Sequence, residues 1–501
     1  MKRLLIFLLI STVIFPAAAQ KPRTKAQAYV DRIAGEEPLR EAVWGVLAVT
    51  SRGDTLAVKN PRQKMVPASN MKLLTTGAAL HRLGADFRFE TTLGYTGGIE
   101  GGTLRGDLYL IGGGDPTLAA PDSIATPSFT LFSQWKNLLL RAGIKRIEGR
   151  IIGDGRYLDG APENPSWNWE DLGTDYGAGG NGLCFYENQK EFAVQAGSDI
   201  GEAVRIREGY PETPWMHYSY KGVTAKARTG DELYLFTSEL APEGEIRGTF
   251  AIDRKPRTEH FSNKYGALTC AYYFYKHLSR SGFIVTGGPA DIDREGCIRE
   301  GFETRPARKA VRRDSITVIG TTSSPTLSRI CRETNHRSDN FYAETLLRTL
   351  GKREKGVDNY DTCQVVLWSI LEEIGADCAS GIRIEDGSGL SRRNYVSPDF
   401  FVRFLAAMRR SPAWEAYLAS LPIPGANGTM RSVLPNLPEE TRQRIHLKSG
   451  SMNGVLCYSG CITPKEGERE TVFFSIMTNN AVAEARQVRP VITRIIALLS
   501  E

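Results

Sequence analysis

Apolar and polar positions alternate with different periods in three successive parts of the chain. Near the amino end, Ala26, Tyr29, Val30 and Ile33 recur at helical spacing and predict a helix over 24–34. Two strand-like runs, 42–49 and 55–58, flank Ser51-Arg52-Gly53-Asp54 and predict a hairpin, whose turn chemistry accounts for the Arg-Gly-Asp tripeptide. Beyond Pro67, Ser69 can start a helix with Leu73, Leu74, Leu80 and Leu83 on its buried side. From about Gly97, glycine pairs and the run Gly112-Gly113-Gly114-Asp115-Pro116 punctuate short strands. Helices are expected near 129–142 and 264–281, a strand near 147–153, and an ordered loop over the Gly-, Pro-, Trp- and Asn-rich residues 160–182. Helical periodicity returns over 324–335, 339–351 and 359–374 and from Pro398. Three strands follow, at 444–449, 454–463 and 471–478. A last helix carries Val488, Val491, Ile492, Ile495, Ile496 and Leu499 on one face. That stripe is assigned to packing on the sheet, with peripheral membrane contact as its alternative use.

At 501 residues the chain exceeds one ordinary core, so two or three domains are expected. A hydrophobic content of 41% with 24% charged residues is that of a soluble globular protein. Residues 1–19 read as a secretory signal: Lys2-Arg3, then an apolar run from Leu4 to Phe15, then Ala17-Ala18-Ala19. Its removal lowers the net charge from +6 to +4, and no basic tract suggests nucleic acid. Eight cysteines in an exported chain could pair, but Cys457 and Cys461 fall in one predicted strand, about 13 Å apart and beyond disulfide reach. Most of the eight are read as small buried hydrophobes, with any pairing left open. Six scattered histidines without an H-E-x-x-H pattern give no support to a metal site.

Candidate chemistry begins at Ser69-Asn70-Met71-Lys72. Residues three apart share a helix face, so the Lys72 amine can lie beside the Ser69 hydroxyl and take its proton. The same spacing at Ser133 and Lys136 sits inside an amphipathic pattern, where nothing suggests chemistry. Two further motifs change the weight of the first. Ser338-Asp339-Asn340 lies 269 residues after Ser69, and Lys448-Ser449-Gly450 lies 110 residues after Ser338. S-x-x-K, S-D-N and K-T/S-G in that order are the signature of β-lactamases and penicillin-binding proteins. Ser69 is then the nucleophile, Lys72 its base, and Ser338 a proton relay between Lys72, Lys448 and the leaving amine. Asn340 is expected to hold the substrate amide or Lys72. Lys448, on an edge strand, is expected to favour a substrate carboxylate and to lower the pKa of Lys72. Ser449 can bond that carboxylate, Gly450 admits substrate backbone, and the N–H groups of Ser69 and Ser451 would form an oxyanion hole. His336 near Ser338 offers a Ser-His pair, but Lys72 already fills the base role.

Over nearly its full mature length the chain resembles the class C, low-molecular-mass penicillin-binding proteins, the D-alanyl-D-alanine carboxypeptidase/endopeptidase family. The stretches that carry the likeness are Gly112 to Leu118, Asp386-Gly387-Ser388-Gly389-Leu390-Ser391-Arg392 and Lys448 to Met452. The resemblance implies an α/β (α+β) fold: a β-lactamase/transpeptidase-like domain with an antiparallel sheet flanked by helices, split by a β-rich insertion. In that reading residues 20–96 and 313–501 form the catalytic domain, and 97–312 the inserted region, with room for two subdomains. It implies a periplasmic serine D,D-peptidase acting on peptidoglycan stem peptides, inhibited by β-lactams, with no metal or organic cofactor. By motif position it places Asp154, Arg392 and Asn453 in the pocket for the substrate's side-chain amine and carboxylate. Two departures stand out: Ser449 where Thr is usual, and Asp154-Gly155-Arg156 where a second acid or a Ser is common. A β-lactamase-type hydrolase, or a non-catalytic cell-wall or antibiotic-binding protein, are the competing readings. Oligomeric state and the balance of carboxypeptidase and endopeptidase action stay open.

Overall fold

The structure, a computed structural model, describes residues 23–299 and 308–501. The segment read as a secretory signal lies outside the described residues.

The hairpin expected from alternation is present as Val43–Thr50 and Thr55–Lys59. It joins the three carboxy-terminal strands in one five-stranded sheet, in the order 55–59, 43–50, 472–479, 455–462, 445–452, all antiparallel. Strand Val455–Ile462 is buried at every position, as expected of a central strand covered on both faces. On one face lie the helices Lys25–Ile33 and Ala485–Leu499, whose Val488, Ile492, Ile495 and Ile496 enter a shared core with Trp44, Leu447 and Phe474. The apolar stripe of the last helix is therefore spent on the sheet. Among the described residues no helix is long and apolar enough to cross a membrane. On the other face, Met71–Leu83 runs through the centre of a helical layer with Asn340–Lys355, Tyr360–Ile374 and Pro398–Met408. Ten consecutive buried residues, Met71 to Leu80, show how completely that layer encloses it. Gly77 lets Phe404 close against the helix, since a Cβ there would lie 2.7 Å from that ring.

Residues 97–312, read as an inserted region, are rich in strands, and strands just outside those bounds join one of their sheets. Strand Glu90–Tyr95 pairs with Leu108–Gly112 on one side and Thr317–Ser323 on the other, within a mixed seven-stranded sheet. Phe89 still packs in the core of the helical layer, and segments 85–89 and 324–328 run side by side through backbone hydrogen bonds from Ser324, Leu327 and Ser328. Neither strand shows in its own residues which sheet it pairs into, and Thr317–Ser323 has no buried position. Helices Ser128–Arg141 and Gly266–Arg280 pack on this sheet around Trp135 and Phe274. A second, smaller core lies between two three-stranded sheets, 205–208/189–195/257–262 and 217–225/241–251/231–238, around Phe192, Leu235 and Phe250. All eight cysteines are buried and unpaired.

Candidate active site

Three distant stretches converge on one hydroxyl. Ser69 lies in the tight turn Ala68–Asn70, immediately before Met71–Leu83, so it and Lys72 share a face. Ala68 adopts a left-handed backbone, φ 46°, to make that turn. Two glycines leave room for it: a Cβ on Gly389 would lie 1.9 Å from the Ala68 carbonyl oxygen, and one on Gly450 2.5 Å from that of Pro67. The glycine of K-S-G thus first admits the turn that carries Ser69. Behind it, Asn70 donates to Ser459 Oγ at 2.8 Å, tying the turn to the sheet.

Lys72 is completely buried. Its Nζ donates to Ser69 Oγ at 3.0 Å, to Asn340 Oδ1 at 2.6 Å and to the Ser388 carbonyl at 2.9 Å. Neither of the last two can donate a proton in return. When the ammonium loses its proton, its two remaining N–H bonds stay on those acceptors and the lone pair faces Ser69. Burial lowers the Lys72 pKa to about 8, against the opposing pull of Glu344, Asp339 and Asp386. The repulsion expected between Lys72 and Lys448 is present, and burial and then Lys72 hold Lys448 well below the usual lysine range.

Each residue of Ser338-Asp339-Asn340 has a separate local task. Ser338 ends the wide turn Thr334–Ser338 with φ 60°, a strained conformation of the kind that clusters at active sites. Asp339 caps the next helix by accepting the Tyr342 N–H at 2.8 Å, and Asn340 is that helix's first residue. Asn340 Nδ2 donates to the Tyr176 carbonyl at 3.1 Å, which fixes which end of the amide meets Lys72. The Ser338 hydroxyl receives Lys448 Nζ at 2.9 Å. His336 is no competitor for that role, because burial, Arg332 and Lys448 lower its pKa to about 4. Lys448 lies on the edge strand Ile445–Met452, as expected, but its side chain turns fully inward and also donates to the Ser449 carbonyl at 2.7 Å.

Two acids behind Lys72 were not legible as site residues. Glu344, one turn after Asn340, is buried and accepts the N–H groups of Gly387 and Ser388 at 3.1 and 2.7 Å. It thereby sets the Ser388 carbonyl that Lys72 bonds. Burial and the neighbouring Asp386 raise its pKa to about 7. Asp386 gathers the rest of the turn, accepting from Gly389, Ser391, Asn394 and Trp167. The i,i+4 spacing from Asn340 to Glu344 was the one available signal.

The motifs open onto a cleft of about 650 Å³ lined at its base by Ser69, Ser338, Asn340, Ser449 and Ser451. Arg392 and Asn453 line it too, with the Arg392 guanidinium donating to the Asn453 carbonyl at 3.1 Å. From the insertion, loop 160–182 contributes Asn168, Glu170, Asp171 and Tyr176, and Tyr234 joins them. The loop is ordered because both domains hold it. Asn164 donates to the Glu385 carbonyl, Ser166 to Ser391 and Trp167 to Asp386, while buried Lys264 donates to the Leu172 and Gly177 carbonyls.

Asp154 is not among the residues lining this cleft. It ends strand Ile151–Asp154, fully buried, with both carboxylate oxygens taken by the guanidinium groups of Arg156 and Arg313 at 2.8–3.0 Å. Burial alone would raise its pKa, but the hydrogen bonds from Arg156 and Arg313 outweigh it and hold the group at about 2. The expectation that it meets a substrate amine is corrected: its charge is already neutralised. The cleft carboxylates come from Glu170 and Asp171 instead, and loop composition gave no way to tell which acid would face inward. Asp154→Asn should therefore destabilise the fold by about 3–5 kcal/mol, as when one partner of a buried pair is removed. Denaturant unfolding measures this, with penicillin acylation per folded molecule unchanged. The ion-pair contribution is present above pH about 4 and is lost as pH falls towards 2.

Comparison with known proteins meets this geometry. The model of the D-Ala-D-Ala carboxypeptidase 3 (S13) family matches residues 26–500. A D-alanyl-D-alanine carboxypeptidase from Actinomadura sp. (strain R39) is 28% identical over 474 residues, covering 91% of this chain and 81% of that protein. A penicillin-sensitive carboxypeptidase A from Dictyostelium discoideum is 26% identical over 91% of this chain and 87% of its own length. The crystal structure of penicillin binding protein 4 (dacB) from Haemophilus influenzae superposes with a TM-score of 0.77 at 22% identity, covering 94% of this chain and 98% of that one. Its fold, an α/β domain with an antiparallel sheet flanked by helices, is the fold seen here. The chain belongs to the D-Ala-D-Ala carboxypeptidase 3 (S13) family, the serine D,D-peptidases among the penicillin-binding proteins.

Proposed function

We propose that this D,D-peptidase works through an acyl-enzyme on Ser69, with Lys72 as general base. The observation that carries the assignment is the triple coordination of the Lys72 amine, which among the described residues leaves Ser69 the only partner able to give it a proton. Ser69 Oγ attacks the carbonyl carbon of the penultimate D-alanine as its proton passes to Lys72. The tetrahedral oxyanion is met by the N–H groups of Ser69 and Ser451. Collapse breaks the peptide C–N bond, and the proton returns through Ser338, which Lys448 contacts, to the departing amine. Water then hydrolyses the ester and regenerates the hydroxyl. In a penicillin the same attack opens the β-lactam ring, whose amine stays tethered to the acyl group.

The paired charges of the cleft favour a substrate side chain bearing both an ammonium and a carboxylate, as in diaminopimelate. Asp171 would receive the ammonium. Its carboxyl is raised by burial, and the Tyr176 hydroxyl donates to it at 3.2 Å. Arg392 would receive the carboxylate. The apolar amino-terminal segment supports export to the periplasm as the place where such substrates occur. Asp171→Asn should lower kcat/KM ten- to a hundredfold on a diaminopimelate-bearing D-Ala-D-Ala peptide, the loss of one charged contact of about 1.5–3 kcal/mol. Penicillin acylation should stay nearly unchanged. Equal losses on both reagents would remove the side-chain pocket from this reading.

A further inference from the structure

A second feature begins where the cleft ends. Trp169 lies between the loop's two anchored ends, Trp167 and Leu172, yet is 58% exposed. Its ring meets Phe236, with centroids 6.3 Å apart and planes 33° off parallel. Phe236 and Tyr234 stand two residues apart on Asp231–Ser238, the edge strand of its sheet, so they share one face. Leu233 and Leu235, alternating with them, point into the core between the two small sheets. Tyr234 lines the cleft, which makes the three rings a continuation of its wall. Polar groups frame the rings: the Arg247 guanidinium lies 4.9 Å from the Phe236 ring centre, and the Tyr234 hydroxyl donates to Glu232 at 3.2 Å.

We infer that Trp169, Phe236 and Tyr234 form a shelf that binds a sugar ring of the glycan strand to which the stem peptide is attached. The assignment rests on the D,D-peptidase reading for its choice of occupant. Three features favour a sugar over another protein surface. The shelf is continuous with the cleft, so whatever lies on it is joined to what lies at Ser69. Aromatic faces carry partial negative charge and suit the C–H-rich face of a pyranose, while Glu232 and Arg247 suit its hydroxyl and amide edges. The backbone that carries the rings is also fixed before binding, because loop and strand are each anchored by hydrogen bonds independent of Trp169, which lowers the ordering cost of a weak ligand.

The test compares a free stem peptide with the same peptide carried on its disaccharide. Trp169→Ala should lower kcat/KM on the disaccharide-linked substrate about tenfold, mainly through KM, and leave the free peptide and penicillin acylation unchanged. Trp169→Phe, which keeps a flat ring, should recover most of the loss. A peptide-free N-acetylglucosamine oligomer should show saturation transfer from wild-type aromatic protons and little from Trp169→Ala, a readout that needs no catalysis. Equal losses on both peptides, or no loss on either together with absent saturation transfer, would overturn the shelf. A wild-type enzyme that binds the oligomer but cleaves neither peptide would keep the shelf and sink the D,D-peptidase reading.

Discussion

Ser69→Ala should abolish covalent labelling by a penicillin and lower D-alanine release by a factor on the order of 10⁴–10⁶, the usual consequence of deleting a catalytic serine hydroxyl. The substitution keeps the Cβ, so the turn at Ala68–Asn70 and its contacts with Gly389 and Gly450 are retained. Intact mass after incubation with penicillin reads the result directly: one acyl adduct on the wild type, none on the variant. Ser133→Ala is the matched control. Ser133 and Lys136 have the same spacing, but they lie within Ser128–Arg141 of the insertion, away from the other motifs. That variant should label like the wild type. An adduct that survives in Ser69→Ala would refute the mechanism.

The second large effect is at Lys72. The base must be neutral to accept the Ser69 proton, so the acylation rate should rise with pH through about 8 and level off above it. Lys72→Arg keeps a cation near Asn340 and Ser388 but cannot deprotonate usefully. It should lose about 10²–10⁴-fold in acylation, and the inflection near pH 8 should vanish with it. Stopped-flow acylation across pH 6–10 gives both observations. A variant that retains near wild-type rates would transfer the base role elsewhere.

The three motifs were legible because their chemistry demands particular residue types in order: a hydroxyl beside an amine, a hydroxyl beside an amide, and a lysine beside a small residue. The element that carries each was legible as well, since Pro67, the periodicity over 339–351 and the run Ile445 to Lys448 mark a helix start, a helix and a strand. What escaped was whatever depends on meeting a distant segment. Asp154 and Asp171 are both aspartates in glycine-rich surroundings, yet one is held between two guanidinium groups and the other faces the cleft. Arg313, which helps decide the matter, lies 159 residues from Asp154. Glu344 escaped for the same reason, because its partners are backbone N–H groups some 43 residues on. The pairing of strands 90–95 and 317–323 was hidden because it joins segments more than 200 residues apart.

The place of Val472–Asn479 in the catalytic sheet has a consequence for how the enzyme comes into being. It is the central strand, with the amino-terminal hairpin on one side and strands 445–462 on the other. Its pairs with Val43–Thr50 join residues 422 to 436 positions apart. The small sheets of the insertion close over far shorter distances, so they can fold while the chain is still emerging. The catalytic sheet cannot. A chain ending before Val472 already carries Ser69, Lys72, Ser338 and Lys448, but only as two unconnected hairpins and the helices around them. Hydrolytic activity should therefore appear only after synthesis has passed Asn479.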